Sequence, residues 1–170
     1  KAEDGIRGGG ASRGLGDLYK TQDKFRPYSC EETASDWVML VSSRTEDVLI
    51  QVDPVAEASV VLGDTDAHLY DLAYDTVTAT LYGTDRSELY MVDPWTGETT
   101  LIGGSIGGAD SIEFVDGELL AAVGDSLNVI DPATGTTIRT VGSIGYSNIY
   151  GMGWDPYARR LYAIEYVHPE

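Results

Sequence analysis

Asp64, Asp66 and His68 alternate through GDTDAHL (residues 63–69), setting two carboxylates and an imidazole at every second position. Carboxylates suit Ca2+ or Mg2+, and an imidazole suits Zn2+ or iron. The segment therefore reads as a metal-ligand cluster, and also as what a solvated loop of an acidic chain carries. The full Ca2+-loop pattern with its terminal Glu is missing, so the sequence suggests Ca2+ but requires no cofactor. Asp110, Tyr146, Ser147 and Asn148 offer further polar groups. Cys30 is the one cysteine, so no internal disulfide forms; it reads as a small buried hydrophobe, an intermolecular bridge or a reactive thiol. No HExxH, GxSxG or paired-Cys motif is present, and GGSIGG (103–108) lacks the Lys and the following helix of a phosphate loop.

The elements that must position these residues repeat. ELYMVDPWTG (88–97) returns as SLNVIDPATG (126–135) and more weakly as VLIQVDPV (48–55). Asp53 and Asp93 are 40 residues apart, and Asp93 and Asp131 are 38 apart. A period near forty with strands inside it is the signature of an all-β repeat array, and a β-propeller of about four blades is the expected architecture.

Strands are expected at WVMLVSS, DVLIQVDP and ASVVLG, then at LYDLAYD, TLYGTD, ELYMVDP and TTLIG. They continue through DSIEFVD, ELLAAVG, SLNVIDP and TTIRTVG, and end with IYGMGWD and RRLYAIEY. In Asp-Pro-x-Thr-Gly the Pro fixes φ, the carboxylate accepts local N–H groups and the Gly supplies a positive φ, which makes a tight connection. Residues 63–69, 103–110 and 142–149 would then enter the innermost strands and line one mouth of a central channel. That mouth is where Asp64, Asp66, His68, Asp110, Tyr146 and Asn148 would meet.

Charge narrows the partners. The formal net charge is −17, and it is uneven. Residues 1–26 hold six basic and four acidic side chains, whereas residues 27–170 hold five basic and 24 acidic ones. An acidic body repels phosphates and argues against nucleic acid. No apolar run approaches the length that spans a membrane as a helix.

Two regions follow: a Gly-rich, mildly basic arm at residues 1–28 and a repeat domain at 29–170. The first repeat shows strands two to four with a doubtful first strand at about 29–35, and the fourth shows strands one and two. A half-blade leaves unpaired backbone edges. Residues 17–29 could supply the missing strands, a neighbouring copy could add them, or the chain could belong to a longer propeller of about six to eight blades. Leu18, Tyr19, Phe25 and Cys30 are the candidate assembly residues.

LYMVDPWTGETTLIG, then LNVIDPATGTTIRTVG and YGMGWDPYARRLYAIE, resemble the repeats of secreted and cell-surface β-propellers of bacteria and archaea, of the YVTN-type and quinoprotein-like sorts. The resemblance covers about residues 37–166. The literal Tyr-Val-Thr-Asn is absent, and Leu101-Ile102 and Thr140-Val141 stand where quinoprotein repeats close on tryptophan, which speaks against a quinone cofactor. The resemblance implies a propeller at the cell surface or outside the cell. Such propellers serve as adhesins, scaffolds, lectins, lactonases or dehydrogenases, so the fold selects no single function.

The expected function is an extracellular structural or interaction module that self-associates into a homo-oligomer or filament, or meets cell-surface partners. One alternative is a metal-dependent lactonase or hydrolase drawing ligands from Asp64 or Asp66, Asp110 and Asn148. Another is a carbohydrate-binding propeller using some of the 11 tyrosines, although Tyr74, Tyr82, Tyr90 and Tyr162 fall at strand positions that suit packing.

Overall fold

Strands account for every regular element in the computed structural model, which describes residues 37–167. The arm at 1–28, the doubtful strand at 29–35, Leu18, Tyr19, Phe25 and Cys30 lie outside the described residues. Thirteen strands form four sheets. The first sheet holds β1 (Met39–Ser43), β2 (Val48–Asp53) and β3 (Ala58–Asp64). The second holds β4 (Asp71–Asp75), β5 (Thr80–Thr84), β6 (Leu89–Val92) and β7 (Thr99–Gly103). The third holds β8 (Ala109–Val115), β9 (Glu118–Val123), β10 (Ser126–Ile130) and β11 (Thr137–Ser143), and the fourth holds β12 (Ile149–Asp155) and β13 (Arg160–Glu165). Every pairing joins strands that are consecutive in the chain, and all are antiparallel. The inner strands β4, β8 and β12 lie side by side, with β8 in the middle. No helix long and apolar enough to cross a membrane occurs among the described residues.

Several strands end where an Asp at the turn captures the backbone. Asp93 Oδ1 accepts the N–H groups of Trp95 (2.8 Å) and Thr96 (3.1 Å), and the Asp93 carbonyl accepts the Gly97 N–H at 2.9 Å. Asp131 repeats this with the Ala133 N–H at 2.9 Å and the Gly135 N–H at 2.8 Å. Asp53, Asp75 and Asp155 use the same two-residue reach on Val55, Val77 and Tyr157. A short carboxylate can satisfy N–H groups that no strand partner reaches, which is why Asp stands at these corners.

The Thr-Gly step also has a role between sheets. Gly97 (φ +79°) sits so close to the first sheet that a Cβ there would lie 2.8 Å from the Gly63 carbonyl oxygen and 3.1 Å from Leu49 Cβ. Gly135 (φ +70°) would place a Cβ against the Gly103 carbonyl oxygen and 3.3 Å from Leu89 Cβ. Each turn is thus seated on the sheet before it, and glycine is required both by the backbone conformation and by the close approach.

Apolar residues between the sheets form two cores. Leu49, Leu69, Leu81 and Val92 join the first sheet to the second. Tyr82, Leu89, Ile106, Ile112, Phe114 and Ile130 are among those joining the second to the third. The Phe114 ring lies 5.4 Å from that of Tyr82, centroid to centroid. Tyr74 and Tyr162 are about half exposed, so of the four strand tyrosines only Tyr82 is fully in a core, with Tyr90 at the edge of one. All seven residues of β11 are exposed, and β13 has no partner but β12 among the described residues.

Candidate functional site

Because consecutive strands alternate in direction, the β1–β2, β3–β4, β5–β6 and β7–β8 connections all emerge at one end. There a cleft of about 600 Å3 opens between the first two sheets, lined by Arg44, Asp47, Asp66, His68, Tyr70 and Tyr90 among others. His68 Nδ1 lies 2.5 Å from Asp47 Oδ1, at the exposed rim. Asp66 holds a left-handed backbone (φ 50°) in the turn leading to β4. At the cleft wall the Tyr90 hydroxyl lies 3.0 Å from Asp85 Oδ2 and 3.1 Å from Glu88 Oε2. Burial raises the Tyr90 pKa, and the two carboxylates raise it further, so the phenol stays a neutral donor.

Tyr70 organises the cations. The Arg44 guanidinium lies 4.2 Å from its ring centroid and that of Arg86 lies 5.2 Å away. Two cations on one aromatic ring gain from its quadrupole. Arg86 also grips Asp110 at the start of β8: Nη2 donates to Oδ2 at 3.2 Å, and Nε approaches Oδ1 to 2.6 Å. The Nε contact is an ionic approach rather than an aligned hydrogen bond, since neither Nε nor Oδ1 has a well-directed partner. The Asp110 side chain is 7% exposed, and its charge is balanced by an arginine 42% exposed.

On the inner strands, carboxylates join neighbouring sheets. Asp71 Oδ2 on β4 accepts from Ser111 and Ile112 on β8. Glu113 on β8 accepts the Phe114 N–H at 2.9 Å and a backbone N–H from Trp154 on β12. Burial raises the pKa of both acids, more than their hydrogen bonds lower it.

The residues expected from the sequence are therefore distributed. Asp66 and His68 share the cleft. Asp64 is an exposed strand end, and Asp110 is committed to Arg86. Tyr146 and Asn148 are exposed in the turn before β12, where Asn148 (φ 61°) offers its carbonyl to the Tyr166 N–H at 2.9 Å. Among the described residues no three His, Cys, Asp or Glu side chains group so as to hold a metal ion, and His68 is turned to Asp47. The residues that sequence reading missed are Arg44, Asp47, Tyr70 and Arg86. A signal existed: RTED (44–47) and DRSE (85–88) occupy equivalent connections and carry two of the five basic residues after position 26. The cleft interleaves hydrogen-bond donors and acceptors around two aromatic rings.

Four meandering sheets around a row of inner strands make this chain a β-propeller. No protein-family model matches it, and no curated protein is similar to it in sequence. Its fold is similar to hydrazine synthase of Kuenenia stuttgartiensis, with a TM-score of 0.56 at 14% identity over 81% of this chain and 45% of that one. It is similar to glutaminyl cyclase of Myxococcus xanthus, with a TM-score of 0.58 at 18% identity over 78% of this chain and 66% of that one. It is also similar to a gluconolactonase of Xanthomonas campestris, with a TM-score of 0.52 at 18% identity over 68% of this chain and 40% of that one. The chain thus spans between 40% and 66% of the length of these structures. At such identities the likeness is one of fold alone.

Proposed function

We propose that this propeller is a structural or interaction module, extracellular or at the cell surface, whose working surface is the open side of its third and fourth sheets. The supporting observation is β11 and β13 themselves. The outermost strand β11 is exposed along its whole length and carries Ile138 (62% exposed) and Val141 (52%), and β13 of the next sheet has one edge unpaired among the described residues and carries Ile164 (71%). Apolar side chains next to unpaired N–H and C=O groups favour strand addition by a further segment. Light scattering of the full chain tests this. Assembly into a multiple of the 18.3 kDa chain, abolished by Ile138→Lys together with Ile164→Lys, is the expected result. A monomer whose mass and melting temperature ignore both substitutions would count against the reading.

A second reading, carbohydrate or polyol binding at the channel mouth, is favoured by the interleaving of Tyr70 and Tyr90 with Arg44, Asp47 and Asp66 around one cleft. Binding on a glycan array that Tyr70→Ala removes would support it. A blank array would set it aside.

A further inference from the structure

Neighbouring sheets are locked by a socket that occurs twice in the same form. Leu49 of β2 faces Gly63 of β3 across the ladder, and the Thr96-Gly97 turn of the second sheet is seated on both. Leu89 of β6 faces Gly103 of β7, and the Thr134-Gly135 turn of the third sheet is seated on both. Leu49 and Leu89 are wholly buried as a result. At Gly63 no side chain is tolerated, because a Cβ would collide with the Thr96 carbonyl oxygen.

The third sheet carries the same socket. Leu127 of β10 faces Gly142 of β11 in the equivalent register. Here Leu127 is only partly buried, and the space a Gly142 Cβ would enter is open among the described residues. Gly142 does not have the positive φ that would call for glycine. A glycine within a strand loses backbone entropy and packing on folding, and commonly marks a place where another backbone comes close. At Gly63 that backbone is visible. At Gly142 the socket is shaped for one of the same kind.

We infer that the Leu127–Gly142 socket is a docking site for a β-hairpin with an Asp-Pro-x-Thr-Gly turn that adds its strands to β13. The inference rests on the strand-addition reading above and names what is added. Thr96-Gly97 and Thr134-Gly135 are the only Thr-Gly steps in the 170 residues, and both are seated in their own sockets. Residues 1–36 contain none. The occupant that fits is therefore a turn from outside this sequence.

A synthetic peptide copying residues 88–103 (ELYMVDPWTGETTLIG) is the probe, titrated into the full chain and followed by fluorescence polarisation. Saturable binding is expected. It should weaken by about tenfold or more, or roughly 1.4 kcal/mol, with Gly142→Val. Leu127→Ser serves as the second variant, and melting curves establish that each chain is folded. A peptide whose Gly97 is replaced by Val should not bind. Absence of saturable binding, or equal binding by the folded Gly142→Val chain, overturns the inference. So does a peptide copying residues 17–29 that displaces the probe, because the arm would then be the occupant. If the full chain assembles through β13 yet ignores the probe, this inference fails while the strand-addition reading stands.

Discussion

The Asp71 carboxylate on β4 reaches the adjoining sheet, accepting the Ser111 hydroxyl at 2.6 Å and the Ile112 N–H at 2.9 Å on β8. Ser111 is fully buried. Removing the acceptor would leave two donors without partners inside the protein, at about 1–3 kcal/mol for each such group. Asp71→Ala should therefore destabilise by roughly 2–4 kcal/mol in urea denaturation. Asp71→Asn, which keeps a carbonyl acceptor, should lose less than half of that. Equal losses would mean that the carboxylate charge, not the acceptor, joins the sheets.

The same acids set a pH dependence. Asp71 and Glu113 have pKa values raised by burial, and the nearby Asp71 charge raises that of Glu113 further. Between the ordinary carboxylate range near pH 4 and the raised values, the folded chain holds protons that the unfolded chain has released. Their contribution to stability is complete below the ordinary range and is lost as pH rises through the raised values. Asp75 acts in the opposite sense: the Thr78 hydroxyl, then the Val77 N–H, lower its pKa, so its contribution is present above the ordinary range and lost as pH falls through the lowered value. The double variant Asp71→Asn, Glu113→Gln should flatten the fall in melting temperature on the neutral side of pH 4. An unchanged slope would assign that fall to other groups.

Gly97 and Gly108 separate conformation from contact. Both have positive φ, +79° and +88°, but a Cβ at Gly108 meets nothing within 4 Å. Alanine at Gly108 should cost about 1–2 kcal/mol, the left-handed penalty alone. Alanine at Gly97 adds collision with the Gly63 carbonyl and with Leu49, and should cost more by roughly 1–3 kcal/mol. Equilibrium denaturation of the two variants checks the difference, and equal costs would show that the second turn can lift from the first sheet freely.

Arg86 is expected to matter through Asp110. Arg86→Ala removes the guanidinium whose Nε lies 2.6 Å from Asp110 Oδ1 and leaves that carboxylate buried without it. Loss of one member of a fully buried pair costs about 3–5 kcal/mol, and the half-exposed arginine brings the expectation down to about 2 kcal/mol. Asp110→Asn in the Arg86→Ala background should recover part of that loss. A double-mutant cycle with no coupling would show that the ion pair holds neither sheet in place.

Local chemistry in the sequence determined the strands and their corners. The Asp-Pro-x-Thr-Gly repeats, the period between Asp53, Asp93 and Asp131 and the apolar runs between them carry the propeller, since φ/ψ preferences and short-range capping act within a few residues. Gly97 was legible as a turn residue for that reason. Its contact with Gly63 and Leu49 was not, because that contact depends on how one sheet leans on another. The site divides along the same line. Asp66 and His68 were legible as polar loop residues, yet His68 meets Asp47, 21 residues upstream, and Asp110 meets Arg86, 24 upstream. Only the packing of sheets decided those partners. Side chains brought together from separate blades are chosen by the angle and spacing between blades, and no single repeat contains that geometry.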